Sequence, residues 1–237
     1  MKYKGFKKEE HFDRFSFYNG DCMELMRQTP DKYYDLAIVD PVFGDLVVKG
    51  GYMSNSSSKM AKNKQYNNAL WKQEKTTEVY FKELFRISKN QIIWGGNYFV
   101  TEIGINKSCW IVWDKQNGEN HFADCELAWT SFNTAVRKFK WKWQGMLQEN
   151  MKNKQQRIHP TEKPIELYEF CLKNYAKPNQ KILDTHGGSM SIAHAIDKAN
   201  KLDNMNLEFV GIELNTGYFD AALKRFKFSR MQSCFKF

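Results

Sequence analysis

Short apolar runs separated by turn residues recur along the chain, and this pattern predicts the strands of a sheet. One of them, LAIV at 36–39, ends abruptly on Asp40, Pro41 and Phe43. The simplest interpretation of that ending is a buried strand followed by a turn, because Asp-Pro and glycine are common turn residues. Strands are predicted in the same way at 15–20, 33–40, 91–96, 109–115, 124–132, 181–190 (where a glycine turn follows the strand) and 207–215.

Other segments repeat their apolar residues at helical spacing. In 76–90, for example, Tyr80, Leu84 and Ile87 share one helix face with Phe81. Because such helices alternate with the strands, the sequence predicts an α/β fold. The predicted helices cover 21–28, 76–90, 162–176, 191–200 and 217–226.

Two segments do not follow either pattern. Residues 44–75 are rich in Gly, Ser, Asn and Lys without periodicity, which predicts a flexible basic loop with a function or no fixed structure. Residues 135–143, AVRKFKWKW, alternate basic and aromatic side chains. That alternation fits either a strand with one wet and one packed face, or a surface that binds nucleic acid.

Composition and charge narrow the function. At 237 residues and 42% apolar content, the chain can form a single domain with a sizeable core, so we predict one domain over 1–237. The formal net charge is +9, and 15% of the residues are aromatic. This balance favours a polyanionic partner such as nucleic acid, although solvated basic faces are also common.

Cysteine and histidine spacing indicates neither a disulfide framework nor a metal site. The five cysteines are an odd number and contain no CxxC pair, and the five histidines show no ligand spacing. The charged start of the chain and the lack of a long apolar run predict no signal peptide and no membrane contact. We therefore expect a reduced, cytoplasmic protein without a metal.

The segment ILDTHGGSMSIAHA predicts a nucleotide cofactor site. A strand, a glycine-rich turn and a helix start let a ligand approach the backbone and present free N–H groups. The match to GxGxxG is poor, so a dinucleotide is not favoured. The next strand ends on Glu213, which is well placed to bind the two hydroxyls of a ribose. The alternative is that Glu213 caps the following helix.

The tip at Asp40 offers a second chemistry. The Asp40 carboxylate and the Pro41 carbonyl are two acceptors that can take both hydrogens of an exocyclic amine. The ring of Phe43 can stack on a base drawn out of its duplex. An amine held in this way keeps its nitrogen lone pair for attack on an electrophilic methyl group.

The ordered set DPVFG, HPTEKP, LDTHGGS and GIELN resembles the amino-group DNA methyltransferases, in the arrangement where the catalytic tetrapeptide precedes the cofactor glycines. The resemblance extends from about residue 16 to 227. It implies a Rossmann-like S-adenosylmethionine methyltransferase fold with circularly permuted order. The sheet would be mostly parallel and seven-stranded, with one reversed edge strand and helices on both faces.

The resemblance also assigns roles. Asp40, Pro41 and Phe43 would hold and stack the target base. Adenine is the expected target and cytosine the second, because the family commonly uses serine at the Asp40 position for cytosine. The residues implied to bind S-adenosyl-L-methionine are Asp21, Cys22, His159, Pro160, Thr161, Lys163, Asp184, Thr185, Gly187, Ser189, Glu213 and Asn215.

Within that set, Asp21 would accept from the adenine amine of the cofactor, and Glu213 would hold its ribose. Four residues of the glycine turn segment would line the methionine part of the cofactor: Asp184, Thr185, Gly187 and Ser189. Four residues of HPTEKP would cover the cofactor: His159, Pro160, Thr161 and Lys163.

The sequence departs from the family pattern at two positions. Val42 stands where the second proline belongs, which frees φ and adds an N–H near the target amine. Met190 stands where the last glycine of Gly-Ser-Gly belongs, so its side chain is expected to crowd the cofactor or oppose a positive φ. Gly187, in a slot that is often larger, would relieve some of that crowding.

A short insertion at 133–158 is expected to contact double-stranded DNA, and loop 44–75 to fold over the target. The DNA contacts are predicted at Arg137, Lys138, Lys140, Lys142 and Arg157. Enzymes this small often form homodimers to enlarge the DNA surface, but no sequence feature decides this. A solitary methyltransferase is compatible with restriction-modification or antirestriction roles.

Two other functions compete with DNA amine methylation. The first is a catalytically inactive member of the same fold that binds DNA or cofactor, which Val42 and Met190 favour. The second is methylation of RNA or of a protein amide, or another nucleotide-binding reaction. A methyl-transfer assay on DNA and RNA separates the three.

Overall fold

Strands and helices alternate through most of the chain, as the sequence predicts. The computed structural model describes residues 2–44, 75–104, 107–117, 123–144 and 147–234. Its strands are β1 Lys8–Phe12, β2 Phe15–Asn19, β3 Tyr34–Val39, β4 Ser88–Trp94, β5 Trp110–Asp114, β6 Cys125–Thr130, β7 Arg137–Lys140, β8 Trp143–Gln144, β9 Leu147–Gln148, β10 Lys181–Asp184 and β11 Glu208–Glu213. Its α-helices are α1 Cys22–Gln28, α2 Glu78–Ile87, α3 Val100–Ile103, α4 Ile165–Tyr175, α5 Ser191–Leu202 and α6 Thr216–Cys234, and a 3-10 turn covers Gly96–Tyr98.

Nine of these strands form one sheet in the order β1-β2-β11-β10-β3-β4-β6-β5-β7, and β8 and β9 pair separately. The five strands from β2 to β4 in that order are parallel to one another. The strands β10 and β11, which carry the glycine turn and Glu213, come last in the chain but lie in the middle of the sheet. This is the circularly permuted, Rossmann-like α/β arrangement that the resemblance implies.

The seven strands from β2 to β5 correspond to the predicted sheet, and β1 and β7 extend it at its two edges. One detail of the prediction is wrong. Among these seven strands the reversed one is β6, which lies between β4 and β5 and is antiparallel to both, rather than at an edge. Strand β6 pairs with β4 on one side and with β5 on the other, so it is an interior strand. In the nine-stranded sheet, the added edge strand β1 is also antiparallel to its neighbour β2.

The sheet is covered on both faces, because the apolar residues of its central strands alternate between two cores. In β3, Leu36 and Ile38 face the core that includes residues of α4, α5 and α6. Ala37 and Val39 face the other core, together with residues of α1 and α2. A strand buried on both faces reads as a continuous apolar run, which is why LAIV is so uniform.

Two boundaries differ from the sequence prediction. The helix expected over 76–90 ends at Ile87, since β4 begins at Ser88 and pairs with β3 from Tyr34 onward. The strand β1 was not predicted at all. Its residues are KEEHF and are mostly exposed at the edge of the sheet, so they carry little apolar pattern.

The predicted basic loop 44–75 lies outside the described residues except for its two ends, Gly44 and Lys75. The predicted insertion 133–158 contains β7 and the β8–β9 pair. Both boundaries, and the single domain over 1–237, stay predictions. Among the helices that the structure describes, none is both long and apolar enough to span a membrane.

Candidate active site

Four acidic residues stand in a row where parallel strands end. Asp21 follows β2, Glu213 ends β11, Asp184 ends β10 and Asp40 follows β3. These four strands are neighbours in this order, so their carboxyl ends meet at one edge of the sheet. Adjacent strands lie about 4.8 Å apart, which brings the predicted cofactor residues next to the predicted catalytic tip.

Glu213 closes the turn between the cofactor strands. Its carboxylate accepts from the backbone N–H of Gly188 at 2.7 Å and from that of Asn215 at 2.7 Å. The helix-capping role belongs instead to Asn215, whose Oδ1 accepts from the N–H of Tyr218 at 3.0 Å. Each carboxylate oxygen of Glu213 keeps a lone pair for a further donor such as a ribose hydroxyl.

Asp184 is buried and its acidity is perturbed. Burial raises the pKa of its carboxyl to about 7, with Asp40 and Glu213 adding to the rise and an N–H bond from His186 opposing it. Burial likewise raises the pKa of Glu213. Acids that share a site in this way are stabilised by a positively charged ligand.

This perturbation predicts a pH-dependent stability. The pKa of Asp184 in the folded protein, about 7, lies above its ordinary value near 4, so the wild-type free energy of unfolding falls as pH rises from about 4 to 7. Asp184→Asn lacks this loss, so we expect its free energy of unfolding to rise by on the order of 2 kcal/mol relative to that of wild type between pH 5 and pH 8. Urea unfolding at both pH values measures the difference. Equal pH dependence of the two proteins would contradict it.

The glycine turn accommodates Met190 because the methionine side chain fills the space that a side chain at Gly187 would occupy. Met190 has φ 54° and is 1% exposed, with its side chain packed into the core beside α5. A Cβ added at Gly187 would lie 2.3 Å from Met190 Cε, and one at Gly211 would lie 2.8 Å from its Sδ. Met190 thus adopts the positive φ that it was expected to oppose. The expected relief by Gly187 agrees with this packing.

Arg225 of α6 ties the glycine turn to HPTEKP. Its guanidinium donates to Glu162 Oε1 at 2.6 Å and to the carbonyl of Ser189 at 2.7 Å. The Glu162 side chain is fully buried, and its other oxygen accepts from the N–H of Ile158 at 2.8 Å. The Ser189 hydroxyl forms a hydrogen bond with the Ser191 hydroxyl at 2.9 Å, so both the side chain and the carbonyl of Ser189 are hydrogen-bonded.

The contacts of Arg225 with Glu162 and Ser189 predict that its replacement strongly lowers the free energy of unfolding. Arg225→Met would leave the buried Glu162 carboxylate without its cation, which we expect to lower the free energy of unfolding by about 3 kcal/mol. Lys224→Met is the matched control, because Lys224 is an exposed cation on the same helix. Urea denaturation measures both. Equal midpoints would show that the pair contributes nothing.

His159 packs against the glycine turn, and the predicted contact of HPTEKP with the cofactor stays a prediction. The ring of His159 lies 3.5 Å from where a Cβ of Gly188 would be, and it packs edge-on against Tyr218 with centroids 4.4 Å apart. Burial lowers the pKa of His159 to about 4, aided by the charge of Lys163, so the ring is neutral at pH 7. Thr161 bonds to its Nδ1 at 3.2 Å, and Pro160 lies half-buried between them.

Tyr80 of α2 is a site residue that the sequence placed only in the core. Its hydroxyl bonds to Thr185 Oγ1 at 2.6 Å, and its ring meets His186 edge-on at 5.2 Å. The Thr185 hydroxyl also bonds to His186 Nδ1 at 2.9 Å. Burial raises the pKa of Tyr80 well above its usual value, and electrostatic interactions with the acidic groups of Cys22, Asp184 and Asp40 add to this.

At the other end of the row, Asp21 is exposed and caps α1, because its Oδ1 accepts from the N–H of Met23 at 2.9 Å. Burial and the charge of Asp21 raise the pKa of the Cys22 thiol to about 12, so it stays protonated. The second oxygen of Asp21 remains for the predicted adenine amine.

Asp40 is held from one side only. Its Oδ2 forms an ion pair with the ammonium of Lys163, which also lies 3.3 Å from Glu126 Oε2. Its Oδ1 is buried and has no hydrogen-bond partner among the described residues. The contacts that Lys163 makes are therefore at the catalytic tip, and its contact with the cofactor stays a prediction.

The rest of the tip is aromatic. The ring of Phe43 stacks on Tyr98 with centroids 4.6 Å apart and planes at 18°. The carbonyl of Val42 accepts from the N–H of Thr76 at 2.8 Å, which joins the chain on the two sides of the basic segment. Pro41 is buried. Phe43 and Tyr98 form a pair at the tip, and both are partly exposed.

The predicted DNA residues fall on the far edge of the sheet from the cofactor strands. Arg137, Lys138 and Lys140 are exposed on β7, while Phe139 packs on Phe170 with centroids 5.2 Å apart. Because side chains alternate along a strand, Lys138 and Lys140 share one side, whereas Arg137 lies on the same side as Phe139. Lys142 and Arg157 are half-buried, further along the same segment. No group of His, Cys, Asp or Glu in the described ranges could hold a metal ion.

Comparison with known proteins identifies the family. The model of the N6/N4 family described as "DNA methylase" matches residues 44–224, about three quarters of the chain. The chain belongs to this DNA methylase family. The family depends on S-adenosyl-L-methionine. The matched region includes HPTEKP, the glycine turn and Glu213, and begins just after Phe43.

Solved structures share the fold of this methylase. The M1.HpyAVI–SAM complex is 20% identical with TM-score 0.55, covering 89% of this chain and 98% of its own. The PvuII DNA methyltransferase (cytosine-N4-specific) is 15% identical with TM-score 0.59, covering 94% and 90%. TTHA0409 from Thermus thermophilus, complexed with S-adenosyl-L-methionine, is 15% identical with TM-score 0.53, covering 91% and 93%.

Four residues of the methylase site were missed by sequence reasoning: Tyr80, Glu126, Lys115 and Arg225. Tyr80 and Arg225 fall on helix faces whose apolar pattern concealed them. Glu126 and Lys115 lie in or next to predicted strands, and an acid inside the apolar run CELAW was the one available signal.

Proposed function

We propose that this methylase transfers a methyl group from S-adenosyl-L-methionine to an exocyclic amine of double-stranded DNA, with adenine N6 as the target and cytosine N4 as the second choice. The observation that carries the proposal is the pairing of β10 with β3. Asp184 ends the strand next to that of Asp40, and Glu213 ends the strand beyond it; Asp40 Oδ1 is an acceptor without a partner among the described residues. An aspartate at this tip, where the family commonly has serine for cytosine, supports adenine.

The residues present fit the cofactor. Asp21 and Glu213 offer carboxylate oxygens to an adenine amine and a ribose, and Met190 is packed into the core. The row of acids favours a cation, because burial and mutual repulsion raise the pKa of Asp184. Bound S-adenosylmethionine supplies the methyl group, on a sulfonium that keeps the electron pair of the broken carbon–sulfur bond.

The chain's own residues then act on the base. Asp40 Oδ1 and the Pro41 carbonyl take the two amine hydrogens, which leaves the nitrogen lone pair free for the methyl carbon. Phe43, supported by Tyr98, stacks on the base and holds it in place. The methylated nitrogen carries one proton too many, and Asp40 is the base that accepts it. Neutral His159 covers the turn and excludes water.

Nucleoside analysis tests the proposal. Duplex DNA of mixed sequence is incubated with the protein and S-adenosylmethionine, digested to nucleosides and examined by mass spectrometry. We expect N6-methyladenine. N4-methylcytosine instead would overturn the choice of target, and methylation of RNA alone would overturn the choice of nucleic acid. Restriction-modification and antirestriction roles remain predictions, as does a homodimer.

The second candidate is an inactive member of the fold that binds DNA or cofactor. Val42 favours it, because valine leaves φ free where proline fixes it beside the target amine. A protein that binds S-adenosylmethionine but forms no methylated nucleoside would support this candidate. Val42→Pro, which keeps the carbonyl that Thr76 binds, should then restore transfer.

The exposed basic residues of β7 are proposed to contact DNA phosphates. Replacing Arg137, Lys138 and Lys140 together by Gln should weaken DNA binding and reduce the slope of log affinity against log salt by about 0.9 for each lost phosphate contact. Fluorescence anisotropy over a salt series measures the slope. An unchanged slope would remove this strand from the DNA surface.

A further inference from the structure

Four charged side chains form a chain of ion pairs behind the catalytic tip. Lys163 bridges Asp40 Oδ2 and Glu126 Oε2, and Glu126 Oε1 lies 2.5 Å from the ammonium of Lys115. The Lys163 side chain is only 6% exposed, and its ammonium also lies 5.7 Å from the ring centroid of Trp94. The signs alternate along the chain, so the group is neutral overall.

The four residues come from four separate elements. Asp40 follows β3, Lys163 precedes α4, Glu126 is in β6 and Lys115 follows β5. Strand β4, which carries Trp94, lies between β3 and β6. The position of each charge is therefore fixed by the sheet rather than by a local turn.

The buried cation needs both acids. Burial alone would lower the pKa of Lys163, but Asp40 and Glu126 outweigh it and raise that pKa. Burial would raise the pKa of Glu126, but Lys163 and Lys115 lower it to about 2. Both groups are accordingly charged at pH 7, which keeps the chain of pairs intact.

We infer that Glu126 and Lys115 are positioning residues for methyl transfer: through Lys163 they hold Asp40 Oδ2 and leave Oδ1 as the acceptor for the target amine. The inference rests on the proposed function of Asp40. The observation that points to it is the difference between the two carboxylate oxygens of Asp40. Oδ2 is paired with Lys163, whereas Oδ1 is buried without a partner in the described part of the chain.

The two residues act on Asp40 with opposite signs. The charge of Glu126 raises the pKa of Asp40, whereas those of Lys163 and Lys115 lower it, and burial raises it further. From the other elements packed here, Asp184, Tyr80 and Tyr168 also interact electrostatically with Asp40, and none of them is altered in the test.

The test compares Glu126→Gln with Lys115→Met in the full-length protein. We expect kcat to fall by about tenfold to a hundredfold in each, with KM for S-adenosylmethionine unchanged, because Asp40 is displaced while the cofactor strands are intact. The acidic limb of the kcat–pH profile should move to lower pH in Glu126→Gln and to higher pH in Lys115→Met, each on the order of half a unit.

The same shifts should appear without catalysis. Carboxyl carbon NMR of the free protein, with Asp40 assigned from Asp40→Asn, reports the titration of Asp40 directly. If wild type transfers no methyl group but the two variants shift this titration in opposite directions, the proposed function fails while the positioning network stands.

Exposed ion pairs provide the controls. Lys89→Met removes a cation paired with Asp35, and Glu78→Gln removes an acid paired with Lys82. Both should leave the titration of Asp40 and kcat unchanged. Shifts of the same sign in Glu126→Gln and Lys115→Met, or no shift in either, would overturn the inference, as would a loss of activity explained by a lower unfolding midpoint.

Discussion

Asp40→Asn is expected to reduce kcat for methyl transfer by at least about a hundredfold while S-adenosylmethionine affinity changes little. The ammonium of Lys163 will attract the amide oxygen, which turns the amide NH2 toward the place of the target amine. The amide NH2 and the target amine are both hydrogen-bond donors and then face each other. The carboxylate that accepts the proton of the methylated amine is also lost. Steady-state kinetics with labelled cofactor, together with calorimetry of cofactor binding, measure the two effects.

Asp35→Asn is the matched control, because Asp35 lies at the opposite end of the same strand and pairs with Lys89. It removes the same charge from the same strand and should leave kcat near the wild-type value. An Asp40→Asn enzyme with more than a tenth of wild-type activity would show that Asp40 is not the amine acceptor.

The second large effect is expected in the glycine turn. Gly187→Met places a side chain where Met190 Cε already lies, at 2.3 Å from the new Cβ, so we expect it to destabilise the protein by about 3 kcal/mol or more. Met190→Gly removes a buried side chain and should cost about 2 kcal/mol, since relief of the positive φ offsets part of the cavity.

The double variant Gly187→Met/Met190→Gly should recover most of the loss, because the side chain at 187 can fill the space that Met190 leaves. Gly187 is not among the glycines with positive φ, so a methionine there adds no backbone strain of that kind. A residual cost is expected from the carbonyl of Ile212, 3.0 Å from the new Cβ. Urea unfolding of the four proteins gives the coupling energy, and simple additivity would contradict the exchange of volume.

The row of strand ends could be predicted from sequence because each part leaves a local trace. Apolar runs that end on Asp40, Asp184 and Glu213 identify the strands, and the family order places them side by side. Strand β1 could not be predicted, since an exposed edge strand needs few apolar residues. The reversed position of β6 depends on pairing between distant residues, which periodicity does not encode.

Side-chain directions were harder to predict than strand positions. The motif implied that Lys163 covers the cofactor, which stays a prediction, but it did not reveal that the ammonium pairs with Asp40 and Glu126. Met190 was expected to crowd the cofactor or to oppose a positive φ, yet it takes that φ and packs into the core. The partners of Lys163 are far away in sequence, so no local pattern reveals them. For Met190 the local glycine at 187 indicated the available space, but not the φ that Met190 adopts.

A calorimetric titration of the purified protein with S-adenosylmethionine shows whether the acids on neighbouring strand ends form a cofactor site beside Asp40. We expect one site per chain in wild type and in Asp40→Asn. Affinity should increase as pH rises through about 7, where Asp184 ionises and attracts the sulfonium. Absence of binding above pH 7, or binding that weakens as pH rises, would contradict this expectation.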